Sequence, residues 1–251
     1  MSGHSKWSSI KHRKAATDAK RGQLFTKLAR AITVAAREGG GDPSANHTLA
    51  ATIEKARGYS MPKDNIQRAI DRGTGAGDAG QIERATYEGY GPAGVAVMVE
   101  ALTDNRNRTS AEVRHAFDKH GGSLGEPGSV AWQFESKGVV MVDGGRYSED
   151  DLMPAIDAGA EDVAADGDSL KVLSAAEDLA AVRSALAGAG VEVQSAELAM
   201  EPKAVVDLAE ESDARAVMRL MDALDDHDDV DSVHANFDIP AEILEQVEAA
   251  A

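Results

Sequence analysis

The chain of 251 residues contains no cysteine. This absence excludes disulfide bonds, thiolate metal sites and a cysteine nucleophile, and it fits a reducing cytosol. Aromatic residues make up only 4% of the chain, so alanine, valine, leucine and isoleucine must build most of the cores. No apolar run approaches the roughly 20 residues that span a bilayer, and the N-terminus lacks the apolar centre of a secretory signal. We therefore expect a cytoplasmic protein without a membrane partner.

A mitochondrial transit peptide is a competing interpretation of the N-terminus, because such segments are also basic, serine-bearing and poor in acids. Here, however, the basic stretch continues without a break into a helix with an apolar face. The sequence favours a basic element of the folded protein.

Catalytic motifs are also missing, since the chain has no GxSxG elbow, HExxH pair, Walker A loop or kinase set. The acidic run Asp225–Asp229 offers oxygen ligands for a divalent cation, but it lacks the glycine and distal glutamate of an EF-hand loop. A solvated turn is the favoured interpretation of this run. Glu88, Glu100 and Glu126 are candidates for a pair of carboxylates that acts as general acid and base, but one sequence does not show which of them lie close together. We predict a non-enzymatic protein without cofactor, metal or small-molecule substrate.

Positive charge is scarce overall and concentrated at one end. The chain has 26 Lys or Arg and 43 Asp or Glu, a formal charge of −17. Residues 1–84 hold 15 basic and 8 acidic side chains, a net +7, whereas residues 85–251 hold 11 and 35, a net −24. Such segregation predicts that the front of the molecule attracts polyanions while the rest repels them.

Three amphipathic helices are predicted in the first 80 residues. Apolar residues recur at helical spacing over 24–35, 49–56 and 66–70, and glycine or proline separates the three stripes. Asp42 with Pro43 is expected to begin the second helix. Short amphipathic helices cannot bury their stripes alone, so the three should pack into a small bundle.

A glycine-rich stretch over residues 73–80 is predicted to be a linker. Gly75, Gly77 and Gly80 match the pattern GxGxxG, but a dinucleotide site needs a strand before that pattern and a helix after it. Here a helical pattern precedes it and none follows. This supports the expectation that no cofactor binds.

After the linker, strand and helix patterns alternate. A hairpin over 87–102 is followed by a helix that the capping box Thr109–Glu112 should begin, and residues 130–134 alternate like a strand. Residues 138–201 then have the order of a ferredoxin-like sandwich, including a helix begun by the capping box Ser174–Glu177. The tail adds a strand, a helix and a strand, which would complete the first, interrupted unit, because half a sheet leaves an unpaired edge.

The predicted fold class is therefore α+β and multidomain, with an N-terminal three-helix domain followed by two ferredoxin-like α/β sandwich domains, one inserted in the other. The expected boundaries are 1–80 for the basic helical domain with its linker, 81–137 plus 202–251 for the discontinuous α/β domain, and 138–201 for the inserted domain.

Two segments are candidates for binding nucleic acid. If residues 5–21 are helical, their cations form a stripe that can follow a phosphate backbone; the alternative is a basic face that docks against the protein's own acidic domains. The segment 103–109 lies before a predicted helix N-terminus, where amides and the helix dipole favour anions; ordinary turn chemistry is the alternative. The predicted nucleic-acid-binding residues are Lys6, Lys11, Arg13, Lys14, Lys20, Arg21, Lys27, Arg30, Arg106 and Arg108.

Five long blocks stand out along the chain: SGHSKWSSIKHRKAATDAKRGQLFTKLAR, GGGDPSANHTL, MPKDNIQRAIDRG, YEGYGPAGVAVMVEALTDNRNRT and GEPGSVAWQFESKG. These blocks resemble the YebC/PmpR family, which includes the mitochondrial translational activator of cytochrome c oxidase. The motifs cover residues 1–140, and beyond them the likeness is one of organisation.

The resemblance implies a three-domain cytosolic bacterial protein in which one α/β domain is inserted into the other. It implies that the basic N-terminal positions and the DNRNRT segment, Asp104–Thr109, are functional, and it implies no fixed catalytic set. Family members are usually labelled DNA-binding transcriptional regulators. Some look like translation factors that act on ribosomes, including at proline-rich stretches. We therefore expect a DNA-binding transcriptional regulator, with a ribosome-associated factor that binds ribosomal RNA as the alternative.

Overall fold

The structure, a computed structural model, describes residue 10 and residues 21–75 and 82–249. These residues form two compact units. One contains residue 10 with residues 132–206 and 236–238, and the other contains residues 21–131, 207–235 and 239–249 apart from the undescribed 76–81. No described helix is long and apolar enough to cross a membrane.

The second unit begins with a bundle of three helices, α1 (Arg21–Gly39), α2 (His47–Gly58) and α3 (Lys63–Gly73). The apolar stripes predicted from the sequence meet in one core that includes Leu28, Ile32, Leu49, Ile53, Ile66 and Ile70. Helices α1 and α3 approach closely at Gly73, where an added Cβ would lie 2.4 Å from the carbonyl oxygen of Thr33. A side chain at residue 73 would therefore force the two helices apart.

The expected start of the second helix at Asp42 and Pro43 is wrong, because Asn46 is its N-cap. The Asn46 side-chain oxygen accepts the amide of Leu49 at 3.0 Å, and its NH₂ donates to the carbonyls of Ala35 and Gly40, both at 2.8 Å. One buried amide thus satisfies backbone groups at the end of α1 and at the start of α2, which Asp42 cannot reach.

Sheet A of the same unit contains β1 (Glu83–Tyr90), β2 (Ala96–Thr103), β3 (Ser123–Leu124) and β9 (Val230–Ala235) in the order β3-β1-β2-β9. Strands β1 and β2 form the predicted hairpin, from Glu83 opposite Thr103 to Tyr90 opposite Ala96. Helix α4 (Arg106–Lys119) packs on β1, α7 (Glu211–Asp225) packs on β9, and α8 (Ala241–Ala249) packs on α7. Their buried side chains include Phe117, Val113, Val217, Leu220 and Leu224.

Sheet B belongs to the other unit and has the order β5-β6-β4-β7. Its strands are β4 (Phe134–Asp143), β5 (Ala160–Asp166), β6 (Ser169–Ala175) and β7 (Val193–Pro202). A 3-10 turn (Glu149–Leu152) and α5 (Met153–Asp157) precede β5, and α6 (Leu179–Gly188) precedes β7. Val140, Val142, Val172, Val182 and Leu186 form the core between the sheet and these helices. Short strands β8 (Val206–Asp207) and β10 (Phe237–Asp238) form a separate two-stranded sheet.

The order of the strands confirms the predicted fold class. β9 pairs with β2 in sheet A although all four strands of sheet B lie between them in sequence, so one α/β domain is inserted in the other. The domain boundaries stay a prediction. Strand β4 is continuous from Phe134 to Asp143, and it pairs with β7 from Phe134 to Val142.

Two predicted helix starts differ from the structure. Helix α4 begins three residues before the Thr109 capping box, because Asn105 is its N-cap and accepts the Arg108 amide at 3.1 Å. Ser174 does not cap α6. It lies in β6, and α6 begins only at Leu179. In both cases the helix itself is present, and a neighbouring element decides where it starts.

The strand predicted over residues 130–134 is also absent, since Ala131–Gln133 form a 3-10 turn. The buried carboxylate of Glu88 accepts the amides of Gly128, Val130 and Ala131 at 2.7 to 2.8 Å. Burial alone would raise the pKa of Glu88, but these three amides lower it. Amides directed to a carboxylate cannot form a strand ladder, so the segment turns instead.

Candidate functional site

A cleft of about 440 Å³ lies in the unit that contains the helical bundle and sheet A. Three elements line it: helix α1, helix α4 and the turn between α7 and β9. The lining side chains are Gln23, Arg30, Arg108, Glu112, Asp226, His227, Asp228 and Asp229.

Helix α1 reaches this turn with three polar side chains at positions 23, 27 and 30, a spacing that places them on one helix face. Gln23 donates to the Asp226 carbonyl at 2.6 Å and to Asp228 Oδ1 at 3.0 Å. Lys27 donates to the Asp225 carbonyl. The apolar stripe of α1 therefore packs in the core of the bundle, and a second, polar stripe binds the turn between α7 and β9 of the α/β domain.

Asp229 is the centre of the cleft. Its side chain is 3% exposed, and Arg30 donates to its Oδ1 at 2.7 Å. Arg108 and the hydroxyl of Thr109 donate to Oδ2 at 2.6 and 2.8 Å, and the hydroxyl oxygen of Thr103 lies 3.3 Å away. One buried carboxylate therefore joins α1, α4 and the end of β2.

The pKa of Asp229 reflects this arrangement. Burial alone would raise it, but the hydrogen bonds from Arg108 and Thr109 and the positive charge of Arg30 outweigh burial and lower the pKa to about 2. The carboxylate is thus ionised at neutral pH, and its two guanidinium partners compensate the buried charge.

His227 occupies a fixed position next to Asp229. Its Nδ1 accepts the backbone amide of Asp229 at 3.0 Å, which leaves the ring proton on Nε2, 2.7 Å from the Glu112 carboxylate. Glu112, His227 and Asp229 are close enough to hold a metal ion, with one ligand atom of each within 4.8 Å of the others. In this arrangement, however, the protein itself uses both nitrogens of His227 and both oxygens of Asp229. We assign the cluster to an internal network of hydrogen bonds and ion pairs.

The cleft brings together two sequence features that were considered separately, the segment 103–109 and the acidic run 225–229. Of the predicted nucleic-acid-binding residues, Arg30 and Arg108 point into the cleft and bind Asp229. Arg108 also pairs with Asp104 at 3.0 Å. Four carboxylates and two guanidiniums line the cleft, so its charge is unfavourable for a phosphate.

The other predicted cations divide between two groups. Lys27 contacts the turn as described above, and Arg106 is exposed, 3.9 Å from Glu83. Lys6, Lys11, Arg13, Lys14 and Lys20 lie outside the described residues, as does the side chain of Arg21. Elsewhere on the bundle, α2 and α3 expose cations that sequence reasoning did not select, namely Arg57, Lys63, Arg68 and Arg72.

A second titratable cluster lies on sheet A. Glu100 Oε2 accepts the hydroxyl of Ser232 at 2.7 Å and lies 3.2 Å from His234 Nε2. The hydrogen bond from His234 is the main reason that the pKa of Glu100 falls to about 2, and burial opposes it. His234 Nε2 also lies 3.2 Å from the Ser232 hydroxyl oxygen. The carboxylate contacts this same nitrogen and not Nδ1, so the three side chains do not form a relay to a nucleophile.

The chain matches known proteins over nearly its whole length. Residues 5–76 match the family model described as TACO1/YebC protein N-terminal domain, and residues 82–237 match the one described as TACO1/YebC second and third domain. A probable transcriptional regulatory protein of Rubrobacter xylanophilus is 59% identical over 249 residues, which cover 98% of this chain and 99% of that protein. A protein of the same description from Desulfotalea psychrophila is 53% identical, with the same coverage.

Among solved structures, a conserved hypothetical protein from Aquifex aeolicus has a TM-score of 0.87 and 47% sequence identity to this chain. The match covers 96% of this chain and 99% of that one. The likeness therefore includes the three-helix bundle and both α/β domains.

Proposed function

Because the chain belongs to the TACO1/YebC family, several of whose members are called probable transcriptional regulatory proteins, we propose that it is a DNA-binding transcriptional regulator. The basic N-terminal helical domain binds the phosphates, and the protein performs no catalysis. It acts in the cytoplasm.

The observation that carries this proposal is the segregation of charge. Residues 1–84 have a net charge of +7 and residues 85–251 a net charge of −24, so a polyanion is attracted to one end of the chain only. Within the described residues, the cleft adds nothing to this attraction because Asp229 already holds Arg30 and Arg108. We therefore place the main phosphate contacts on residues 5–21 and on the exposed cations of α2 and α3.

The salt dependence of binding tests this assignment. About six phosphate contacts give a slope near −5 in a plot of log affinity against log salt concentration. Replacing Lys6, Arg13 and Lys20 together with alanine removes three contacts and should make the slope shallower by about 2.7. Fluorescence anisotropy with a labelled duplex measures it.

The matched control replaces three exposed cations of the acidic part, Arg114, Lys119 and Arg219, with alanine. The net charge changes equally in both variants. Equal slopes for the two triple variants would remove residues 5–20 from the binding surface.

The second candidate is a ribosome-associated translation factor that binds ribosomal RNA and assists the synthesis of proline-rich stretches. The charge of −24 over residues 85–251 favours it, because an acidic surface suits the basic proteins of the ribosome. Sedimentation of cell extracts separates the two functions. A protein that stays in the light fractions and protects a promoter in footprinting is a DNA regulator, whereas co-sedimentation with ribosomes at moderate salt supports the translation factor.

A further inference from the structure

Sheet B has a second small core on the side opposite its helices. Val140, Val142 and Val172 face α5 and α6. Side chains alternate along a strand and cross-strand partners share a face, so Val139, Met141 and Leu173 point the other way, and they form a separate apolar cluster. We call this side of sheet B, with residues 137, 139 and 141 of β4 and their cross-strand partners, the outer face.

The outer face is buried. Val139 is 4% exposed, Met141 3% and Leu173 7%, and the side chain of Lys171 in the same row is 1% exposed. Among the residues that the structure describes, the helices packed on this sheet, α5 and α6, lie on the other side. A sheet face in contact with water would not bury four side chains so completely, so a further segment must cover it.

The outer face is also acidic. From residue 135 to residue 143 of β4 and in the strands paired with it, the alternating positions of this face carry two lysines and six carboxylates, which are Glu135, Asp143, Asp162, Asp166, Glu197 and Glu201. Lys171 binds both oxygens of Glu201 at 2.7 Å. Asp166 is 7% exposed, and its buried Oδ2 has no hydrogen-bond partner. A buried carboxylate oxygen without a donor is costly, so this position suits a cation brought by the covering segment.

The occupant that fits is the basic N-terminal segment of the same chain. Ile10, the one described residue before Arg21, is helical and 1% exposed, and it belongs to the same compact unit as sheet B. Residues 5–14, which belong to that unit, contain four Lys or Arg and no acid, so they complement the charge of the outer face. An apolar residue among cations matches a small apolar cluster bordered by carboxylates.

We propose that residues 5–14 dock on the outer face of sheet B, with Ile10 against Val139, Met141 and Leu173, and that a nucleic acid competes with this face for the segment. The docking follows from the features of the outer face, and the competition rests on the proposed function. The acidic outer face thereby binds the basic segment in place of a polyanion, which lowers the affinity of the protein for weak, nonspecific sites on nucleic acid.

Paramagnetic broadening in the full-length protein tests the docking without any nucleic acid. The chain has no cysteine, so Ala175→Cys places a nitroxide on the outer face, and Ala180→Cys places one on the exposed side of α6 as a matched control. We expect the amide signals of residues 5–14 to broaden with the label at 175 and to stay sharp with the label at 180. Equal effects of the two labels, or no broadening from 175, would overturn the proposal.

Charge reversal gives an independent test. The pair Asp162→Lys with Glu197→Lys alters the outer face, and the pair Glu149→Lys with Asp157→Lys makes the same change of charge on the helical side. Trypsin should cleave after the cations of residues 5–14 about 10-fold faster in the outer-face variant, because cleavage follows the population of the undocked segment. Equal rates in the two variants would contradict docking. The neutral pair Asp162→Asn with Glu197→Gln should show a smaller acceleration and covers the case in which the lysines prevent folding.

The competition has its own readout. A DNA duplex added to the protein labelled at residue 175 should restore the signals of residues 5–14 at low salt. Docking without restoration would refute the competition, whereas a loss of binding in the salt titration would refute the proposed function and leave the docking in place.

Discussion

The substitution Asp229→Asn tests whether one buried carboxylate holds the helical bundle against the α/β domain. The side chain is 3% exposed and accepts charged hydrogen bonds of 2.7 Å from Arg30 and 2.6 Å from Arg108. Asparagine keeps the shape but removes the charge, and its NH₂ group faces a guanidinium in place of an oxygen. The two arginines then lose their shared anion.

Two estimates of the cost agree. The pKa of Asp229 falls from 3.8 to about 2, and a shift of this size corresponds to about 2 kcal/mol of the free energy of unfolding. Breaking a fully buried ion pair costs about 3 to 5 kcal/mol. Because Arg30 and Arg108 are 27% and 43% exposed, water compensates part of this loss. We expect Asp229→Asn to cost about 2 kcal/mol.

Native-state hydrogen exchange measures this cost where it arises, because a chain with several domains does not unfold in a single two-state transition. Amides of α1 and of the first turn of α4 should exchange faster by a factor of about 30. The matched control is Asp228→Asn in the same turn. Asp228 is exposed and accepts only Gln23 through its side chain in the described contacts, so its substitution should change exchange by less than about 0.5 kcal/mol.

The difference between the two variants must also depend on pH. The folded-state pKa of Asp229 is depressed to about 2 from 3.8, so its contribution is complete above about pH 4 and is lost as pH falls toward 2. A difference that is the same at pH 6 and at pH 2.5, or equal exchange in both variants at pH 6, would refute the role assigned to Asp229.

Two further substitutions test local features of the fold. Glu88→Gln should weaken three charge-assisted bonds and speed amide exchange over residues 128–131, at a cost of about 2 kcal/mol, whereas the exposed Glu126→Gln should have no effect on the same amides. Asn46→Ala should lower the stability of the bundle by about 2 kcal/mol, measured by amide exchange in α1 and α2, because it removes an N-cap and two bonds to carbonyls. The exposed Asn107→Ala is its control, and equal destabilisation by both would contradict the capping role of Asn46.

Much of the fold follows from local patterns. The stripes at helical spacing predict the bundle, because residues such as Leu28, Ile32 and Leu49 pack against side chains that are near them in the sequence. The hairpin of β1 and β2 is likewise fixed by its own alternation and turn. What these patterns do not predict is the exact start of a helix. At α4 a second candidate cap, Asn105, accepts the Arg108 amide, and at α6 Ser174 belongs to strand β6 instead of the helix.

The turn at residues 131–133 shows why such competition escapes sequence reasoning. Val130, Trp132 and Phe134 alternate like a strand, yet the carboxylate of Glu88, more than 40 residues earlier, takes the amides that a strand would need. Trp132 is left 67% exposed. The sequence around a glutamate in a strand does not indicate that its carboxylate will accept the amides of a distant loop.

The candidate site was predictable only in parts. The sequence indicated Arg30, Arg108 and the acidic run 225–229 as separate features, but it contains no signal that pairs residues 199 and 121 positions apart. One usable signal was present in α1. Val34 lies off the apolar stripe of the bundle yet is fully buried, and it continues the row of positions 23, 27 and 30, so a second contact face of α1 is encoded in the helix itself.

The pairing of Arg30 and Arg108 with Asp229 limits how nucleic acid can bind. A phosphate at the cleft would have to replace a buried carboxylate that already satisfies both guanidiniums, and it would meet three further carboxylates there. Removing either arginine should therefore change stability more than affinity. The exposed cations of α2 and α3 form no ion pair with Asp229 in the described contacts. Replacing them should therefore change the affinity for nucleic acid more than the stability of the domain. This opposite ordering separates residues that bind the polyanion from residues that hold its binding domain in place.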